Sequence, residues 1–443
     1  MKDLELCVAA VEHERGCVAV CQALRRRSLA GARQLLRGSL VVSFWAWSAL
    51  ASALTLDDAL RLAQNNAPSL TAESAKLHAA TQAAIPAGEL PDPKLVVGLQ
   101  NFPIGGPNRG TLYGDDMTEQ MIGIQQQVPS RDKRKARVEL ADATVERTAA
   151  QGRIERLNVR QATAQAWIRA YAVERKEALF KGFYQQNRLL QDSVRAQLAG
   201  GRGQASDAVI PKQEAAELAG REDELTQQRA QARAALKRWI GPAANEAPSG
   251  QLPNWTIDSH GYSHNLHQHP ELQAFVPRTR EAQARLQEAK AQKTSDWSWE
   301  VDYQHRGREY GDMVSLQLSF DLPIFPGRRQ NPGIAAKQAE VDQLDAEREA
   351  ATREHIQMLD DDLAGYQRLD RAVQRSQDSL VPLAEEKVAL SLAGYRSGKG
   401  DLMTVVSARR ELVEARFKQI DAIEQRALIG AQLYFAYEEP ANE

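Results

Sequence analysis

The sequence predicts a mainly α-helical fold with a small β part: long antiparallel, coiled-coil-like helices and four short two-faced strands, set out as an internal two-fold repeat. Three observations carry this. The composition, 43% apolar and 26% charged with only 6% aromatics, is that of long helices rather than of a compact enzyme. From Val314 to Leu322 every second residue is apolar, the period of a strand with one apolar and one polar face. The same landmarks then occur twice, about 200 residues apart.

Residues 1–53 read as an N-terminal extension and secretory signal. Arg25-Arg26-Arg27, Arg33 and Arg37 precede the apolar run Leu40 to Leu50, and Ala51-Ser52-Ala53 supplies the small residues of a cleavage site after Ala53. Cys7, Cys17 and Cys21 all lie upstream of that point, so the mature chain is expected to have no disulfide and no thiolate ligand. Cys21 precedes the apolar run, which argues against a lipid anchor there. Removal of residues 1–53 takes away seven Lys/Arg and four Asp/Glu and leaves a net charge of −5, against −2 for the full chain. That balance argues against a nucleic-acid partner. Beyond the N-terminal region no apolar run approaches the ~18 residues of a membrane-spanning helix.

The first repeat is read over 54–255 and the second over 256–443. Ala67-Pro68-Ser69-Leu70 and His269-Pro270-Glu271-Leu272 each open a helical stretch. Met121 to Pro129 and Val314 to Pro323 each end in proline and run into a basic stretch, Arg131-Asp132-Lys133-Arg134-Lys135 and Gly327-Arg328-Arg329. Gly201-Arg202-Gly203-Gln204 corresponds to Gly398-Lys399-Gly400-Asp401. With no proline between Pro129 and Pro211, a helix over 131–199 would be ~100 Å long. Leu179, Phe183, Leu190, Val194 and Leu198 keep an apolar seam along it, and Val406, Val413, Ile420, Ala427 and Tyr434 recur every seventh residue. Its counterpart over 333–396 contains Pro382, which predicts a kink. The glycine-rich tips, about 200–204 and 397–401, suit turns between antiparallel helices.

Strands are expected at about 93–103, 118–128, 296–306 and 312–322, paired as hairpins by loops 104–117 and 306–311. The third presents Trp297, Trp299, Val301 and Tyr303 on one face and Ser298, Glu300, Asp302 and Gln304 on the other. The fourth presents Val314, Leu316, Leu318 and Phe320 opposite Ser315, Gln317, Ser319 and Asp321. Such faces suit strands between lipid and water, whereas a half-buried strand of a soluble sheet would look similar taken singly. Four strands cannot close a barrel, and lipid tolerates no open sheet edge, so the chain must associate with copies of itself.

With these parts in place, the chain resembles the outer-membrane efflux proteins typified by TolC, over essentially the whole mature length. The resemblance implies a homotrimer with a twelve-stranded β-barrel continued by a twelve-helix periplasmic tunnel (an α-barrel), placed in the outer membrane of a Gram-negative bacterium. It also implies docking through a periplasmic adaptor protein to an inner-membrane RND pump. Leu90-Pro91-Asp92-Pro93-Lys94-Leu95 followed by Gly98-Leu99-Gln100-Asn101-Phe102-Pro103 is most similar to the heavy-metal branch, the CzcC- and CusC-like proteins. That similarity implies export of Co, Zn and Cd or of Cu and Ag cations. The alternatives are a channel for multidrug efflux or type I secretion, and a soluble periplasmic coiled-coil scaffold.

In such proteins the tips hold the gate, which makes Arg202, Asp207, Lys399 and Asp401 the charged candidates here. The positions of the aspartate pair near the tip of TolC fall on Thr404 and Ser407, so an aspartate ring does not carry over. His260, His264, His267 and His269 form a dense histidine run that would suit Zn or Cu; a loop leading into a helix is the competing reading. No nucleotide-binding loop, serine-nucleophile elbow or zinc-protease motif occurs, so neither an enzyme nor a cofactor is expected.

Overall fold

The computed structural model describes residues 54–307 and 309–437. The extension and signal, with Cys7, Cys17, Cys21 and the cleavage point at Ala53, lie outside the described residues.

Two helices open the described chain. α1 (Leu56–Asn66) is capped by Thr55, whose hydroxyl accepts from Asp58 N at 3.1 Å. α2 (Pro68–Ala84) begins on proline, whose missing N–H costs nothing in a first turn. β1 (Lys94–Gln100) and β2 (Glu119–Val128) follow, then α3 (Arg131–Ala199), 69 residues long, and α4 (Ile210–Ile240). The second half contains α5 (Ser259–Asn265), α6 (Pro270–Gln273), α7 (Phe275–Ala291), β3 (Trp297–His305) and β4 (Met313–Phe320). It ends in α8 (Gln330–Arg375), α9 (Val381–Arg396) and α10 (Leu402–Tyr437).

The strands form one antiparallel sheet in the order β1-β2-β3-β4. The register sets Val97 opposite Ile122, Ile122 opposite Tyr303, and Tyr303 opposite Val314. Apolar positions of all four strands therefore fall on one face. β4 is shorter than the alternation suggests, because Asp321 and Leu322 leave the ladder, although Asp321 N still donates to Asp296 O at 2.9 Å. The stretch 333–396 is also not one helix. A π-turn at Ser376–Leu380 separates α8 from α9 immediately before Pro382, and the wider turn accommodates a residue that cannot donate to the preceding turn.

The helices pack along their lengths through successive apolar clusters. Midway along α3, Trp167 and Ile168 meet Leu236 and Ile240 of α4, Ala431 and Phe435 of α10, and Ala59 and Ala63 of α1. Trp167 stacks on Tyr171 at 5.2 Å between ring centroids and donates its indole N–H to Leu54 O at 2.9 Å. Farther along, Phe180 and Phe183 pack on Leu218, Leu225 and Val413; then Leu190 and Val194 pack on Tyr395, Leu402, Val405 and Val406.

The passage from sheet to helix is held by buried polar groups. Asp296, the residue before β3, accepts from Ser130 N at 2.8 Å and pairs with Lys133 Nζ at 3.0 Å. Ser130 caps α3 by accepting from Lys133 N at 3.3 Å and shares a 2.6 Å hydrogen bond with the Thr294 hydroxyl. Ser130→Ala is expected to cost about 1 kcal/mol, the usual value of such a cap, read as several-fold faster amide exchange confined to the first turn of α3.

Candidate functional site

The sheet has one continuous apolar face, and that face is exposed. Leu95, Val97 and Leu99 of β1, Ile122 and Ile124 of β2, and Val314, Leu316, Leu318 and Phe320 of β4 are all exposed, with Val314 at 71% and Leu316 at 67%. Trp297, Val301 and Tyr303 of β3 are exposed as well, whereas Trp299 on the same face is only half-buried. Leu322, Ile324 and Phe325 extend the apolar surface beyond β4. Water would strip such a surface away into a partner phase at about 25 cal/mol per Å² of apolar area.

The opposite face is polar and part of it is enclosed. Asp302 and Gln304 are buried rather than facing open water, while Glu300 accepts from Gln125 Nε2 at 3.0 Å. Gly123 lies opposite Asp302 in the register, and a Cβ there would sit 1.9 Å from Asp302 Oδ1. The carboxylate thus occupies space that only glycine leaves open. Asp302 Oδ1 is buried without a hydrogen-bond partner.

At the far end of the long helices, two tips come together. α3 ends in a left-handed Gly201, φ +72°, with Arg202 N donating to Gln197 O at 2.8 Å. Asp207 accepts from Gln204 N at 2.9 Å and thereby shapes the turn into α4. In the second tip Gly398, φ +75°, lets Lys399 N and Gly400 N both reach Gly394 O, at 3.0 and 3.1 Å. Asp401 caps α10, accepting from Thr404 N at 2.7 Å, and that bond holds its carboxyl below the usual range. Arg202 and Lys399 are exposed and carry no ion pair among the described residues. The two aspartates therefore have local structural partners, and the two cations project from the tips.

Behind the tips lies an arrangement that sequence reading missed. Arg409 of α10 is buried and pairs with buried Glu214 of α4 at 3.2 Å. Asn187 of α3, also buried, donates to Glu214 Oε2 at 2.8 Å and to Pro211 O at 3.0 Å, and Gln191 donates to Asn187 Oδ1 at 2.7 Å. Burial pulls the Arg409 guanidinium down from its ordinary value, partly offset by the Glu214 charge. One cluster thus ties both helical hairpins together. Its sequence signal was polar residues on apolar seams: Asn187 between Phe183 and Leu190, and Arg409 between Val406 and Val413. More exposed pairs repeat the linkage, Arg410 to Glu217 at 2.6 Å and Arg221 to Glu414 at 3.6 Å.

The histidine run does not come together as a group. His260, His264 and His267 are exposed, and only His269 is buried. Its ring meets instead that of His355 in α8, 4.3 Å between centroids, and His355 Nε2 lies 3.0 Å from Glu271 Oε2. Burial, reinforced by the His355 charge and opposed by Glu271, lowers the His269 imidazole to about 4. Tyr437 packs on His269 with centroids 5.6 Å apart, and burial with nearby Asp362 and Glu271 raises its phenol to about 12. No helix among the described residues is long and apolar enough to cross a membrane.

Comparison with known proteins agrees with this architecture. Residues 261–437 match the family model "Outer membrane efflux protein". A search of curated proteins by sequence finds no match. Among solved structures, a membrane protein from Pseudomonas aeruginosa superposes with a TM-score of 0.75 at 19% identity, covering 86% of this chain and 92% of that one. The outer membrane protein VceC from Vibrio cholerae gives 0.70 at 17% identity, covering 86% and 95%. CusC, whose structures concern transmembrane channel formation, gives 0.71 at 16% identity, covering 86% and 91%. The chain thus has the fold of the outer-membrane channels, and residues 261–437 carry the outer membrane efflux family's own sequence pattern.

Proposed function

We propose that three copies of this chain form a passive channel in the outer membrane, the outermost member of a tripartite efflux system with a periplasmic adaptor and an inner-membrane RND pump. The observation that carries this reading is the exposed apolar face of a sheet whose two edge strands, β1 and β4, are both unpaired among the described residues. In an antiparallel sheet of four strands the edges run in opposite directions, so β4 of one copy can pair antiparallel with β1 of the next. Closure removes the edges that lipid would not tolerate. Leu380, Leu383 and Leu390, an exposed stripe on and beside α9, offer apolar surface for packing between copies along the helical part. In this reading the pump supplies the energy for transport.

The exported solute is read as heavy-metal cations, on the similarity of the Leu90–Leu95 and Gly98–Pro103 stretch to the heavy-metal branch. Two measurements test the proposal. Protein extracted from outer membranes should require detergent, run as a heat-modifiable trimer and conduct ions in planar bilayers; a monodisperse monomer without detergent would overturn the channel. Deletion should sensitise cells to Zn, Cd, Co, Cu or Ag and leave dye and detergent tolerance intact. The opposite pattern would replace metal export by drug export in the same channel.

A further inference from the structure

We infer that His269, Glu271 and His355 form a binding site for a divalent transition-metal ion of the Zn²⁺ class, built into the wall of the helical part and separate from the tips. Among the described residues these three alone gather as a group of His, Cys, Asp and Glu donors, with one donor atom from each lying within 4.8 Å of the others. Two imidazoles and one carboxylate suit Zn²⁺ and, by the same ligand preferences, Co²⁺, Ni²⁺ and Cu²⁺; Mg²⁺ and Ca²⁺ favour all-oxygen sites.

The three residues come from two elements held in fixed relation. His269 is the cap of α6 and Glu271 lies in its first turn, while His355 lies in α8. Both imidazoles are buried, which limits their rotamers, and the Glu271 side chain is 48% exposed, which leaves a route for an ion and for solvent ligands. Zn–N and Zn–O bonds near 2.0–2.2 Å in a tetrahedron set donor atoms about 3.4 Å apart. His355 Nε2 and Glu271 Oε2, at 3.0 Å, are already close to that edge.

The proton inventory identifies what the ion displaces. His269 Nδ1 accepts from Glu271 N at 3.3 Å, a long bond, so its one lone pair lies on Nδ1 and its proton on Nε2. Either ring nitrogen takes the ion only at the expense of that cap bond: Nδ1 by giving up its lone pair, Nε2 by passing its proton to Nδ1. On His355 the proton shared with Glu271 moves to Nδ1, and Nε2 becomes the donor. No covalent bond to carbon is made or broken. The bound ion would staple α6 to α8 beside Tyr437 of α10, in a part of the wall where Asp362 adds negative charge. The site does not depend on which solute the channel exports.

The test uses the full mature chain in detergent, without a histidine tag, titrated with Zn²⁺ by calorimetry and with Co²⁺ as a visible-absorption probe. One Zn²⁺ per protomer is expected, with Co²⁺ bands of low-coordinate N/O ligation. His355→Gln should weaken Zn²⁺ binding by more than the roughly 10–100-fold typical for loss of an outer-shell partner. Because His355 is buried, Glu271→Gln, at an exposed side chain, repeats the test with little risk to folding, and circular dichroism checks both variants. Replacing His260, His264 and His267 together by Gln should leave the affinity unchanged. No stoichiometric Zn²⁺ uptake would overturn the inference. So would wild-type affinity in His355→Gln and Glu271→Gln, or loss of binding only in the triple variant.

Discussion

In the proposed channel, Leu316→Arg is expected to abolish assembly into the outer membrane, while Gln317→Arg, one residue on, should assemble and change conductance. Leu316 is 67% exposed, lies in an edge strand and pairs in register with Val301. An arginine on the lipid face near the bilayer centre costs roughly 2–4 kcal/mol per copy. If three copies share one barrel, that cost is incurred three times in a single assembly, enough to displace the equilibrium from trimer to unassembled chain. Gln317 projects to the opposite face, where it pairs in register with Glu300, so an added cation there meets water and carboxylates. Heat-modifiable mobility on gels and single-channel recordings would check both variants. Normal assembly of Leu316→Arg together with failure of Gln317→Arg would mean that the faces are assigned the wrong way round.

Arg409→Ala is expected to loosen the tips by about 3–5 kcal/mol, the usual cost of leaving one member of a buried ion pair without its partner. Glu214 would keep its hydrogen bond from Asn187 but retain an uncompensated charge beneath both hairpins. The readout is local: amide exchange in the first turns of α4 and α10 should accelerate strongly, with the sheet unaffected. A chain of this length need not unfold in one step, so a global midpoint would report the change poorly. Arg409→Met combined with Glu214→Gln should recover most of the loss, since the amide still accepts from Asn187 and no buried charge remains. Unchanged exchange in Arg409→Ala would show that the pair does not hold the hairpins. In the proposed channel the same variant should leak ions, because its hairpins would no longer be tied together at the narrow end.

What the amino-acid sequence determined by itself is local. Period-2 alternation marks β4, prolines at Pro68 and Pro270 open helices, a proline-free run gives α3, and left-handed glycines at Gly201 and Gly398 end helices. These signals are short-range, because backbone dihedrals and side-chain faces depend on neighbours within a turn or two. Together they suffice for the fold class. What only the tertiary structure decided depends on partners far apart in the chain. The order β1-β2-β3-β4 joins halves separated by the whole of α3 and α4. His269 was grouped by spacing with His260, His264 and His267, but packing of α6 on α8 delivers it to His355 instead. Asp207 and Asp401 read from the sequence as charged gate candidates at the tips, yet each is engaged by a backbone N–H three residues away. Arg409 and Glu214 look like two of many surface charges until the hairpins close over them. A charged side chain's role is set by what surrounds it in space, because desolvation and pairing, not residue type, decide its energy. That surrounding is assembled only when distant helices pack.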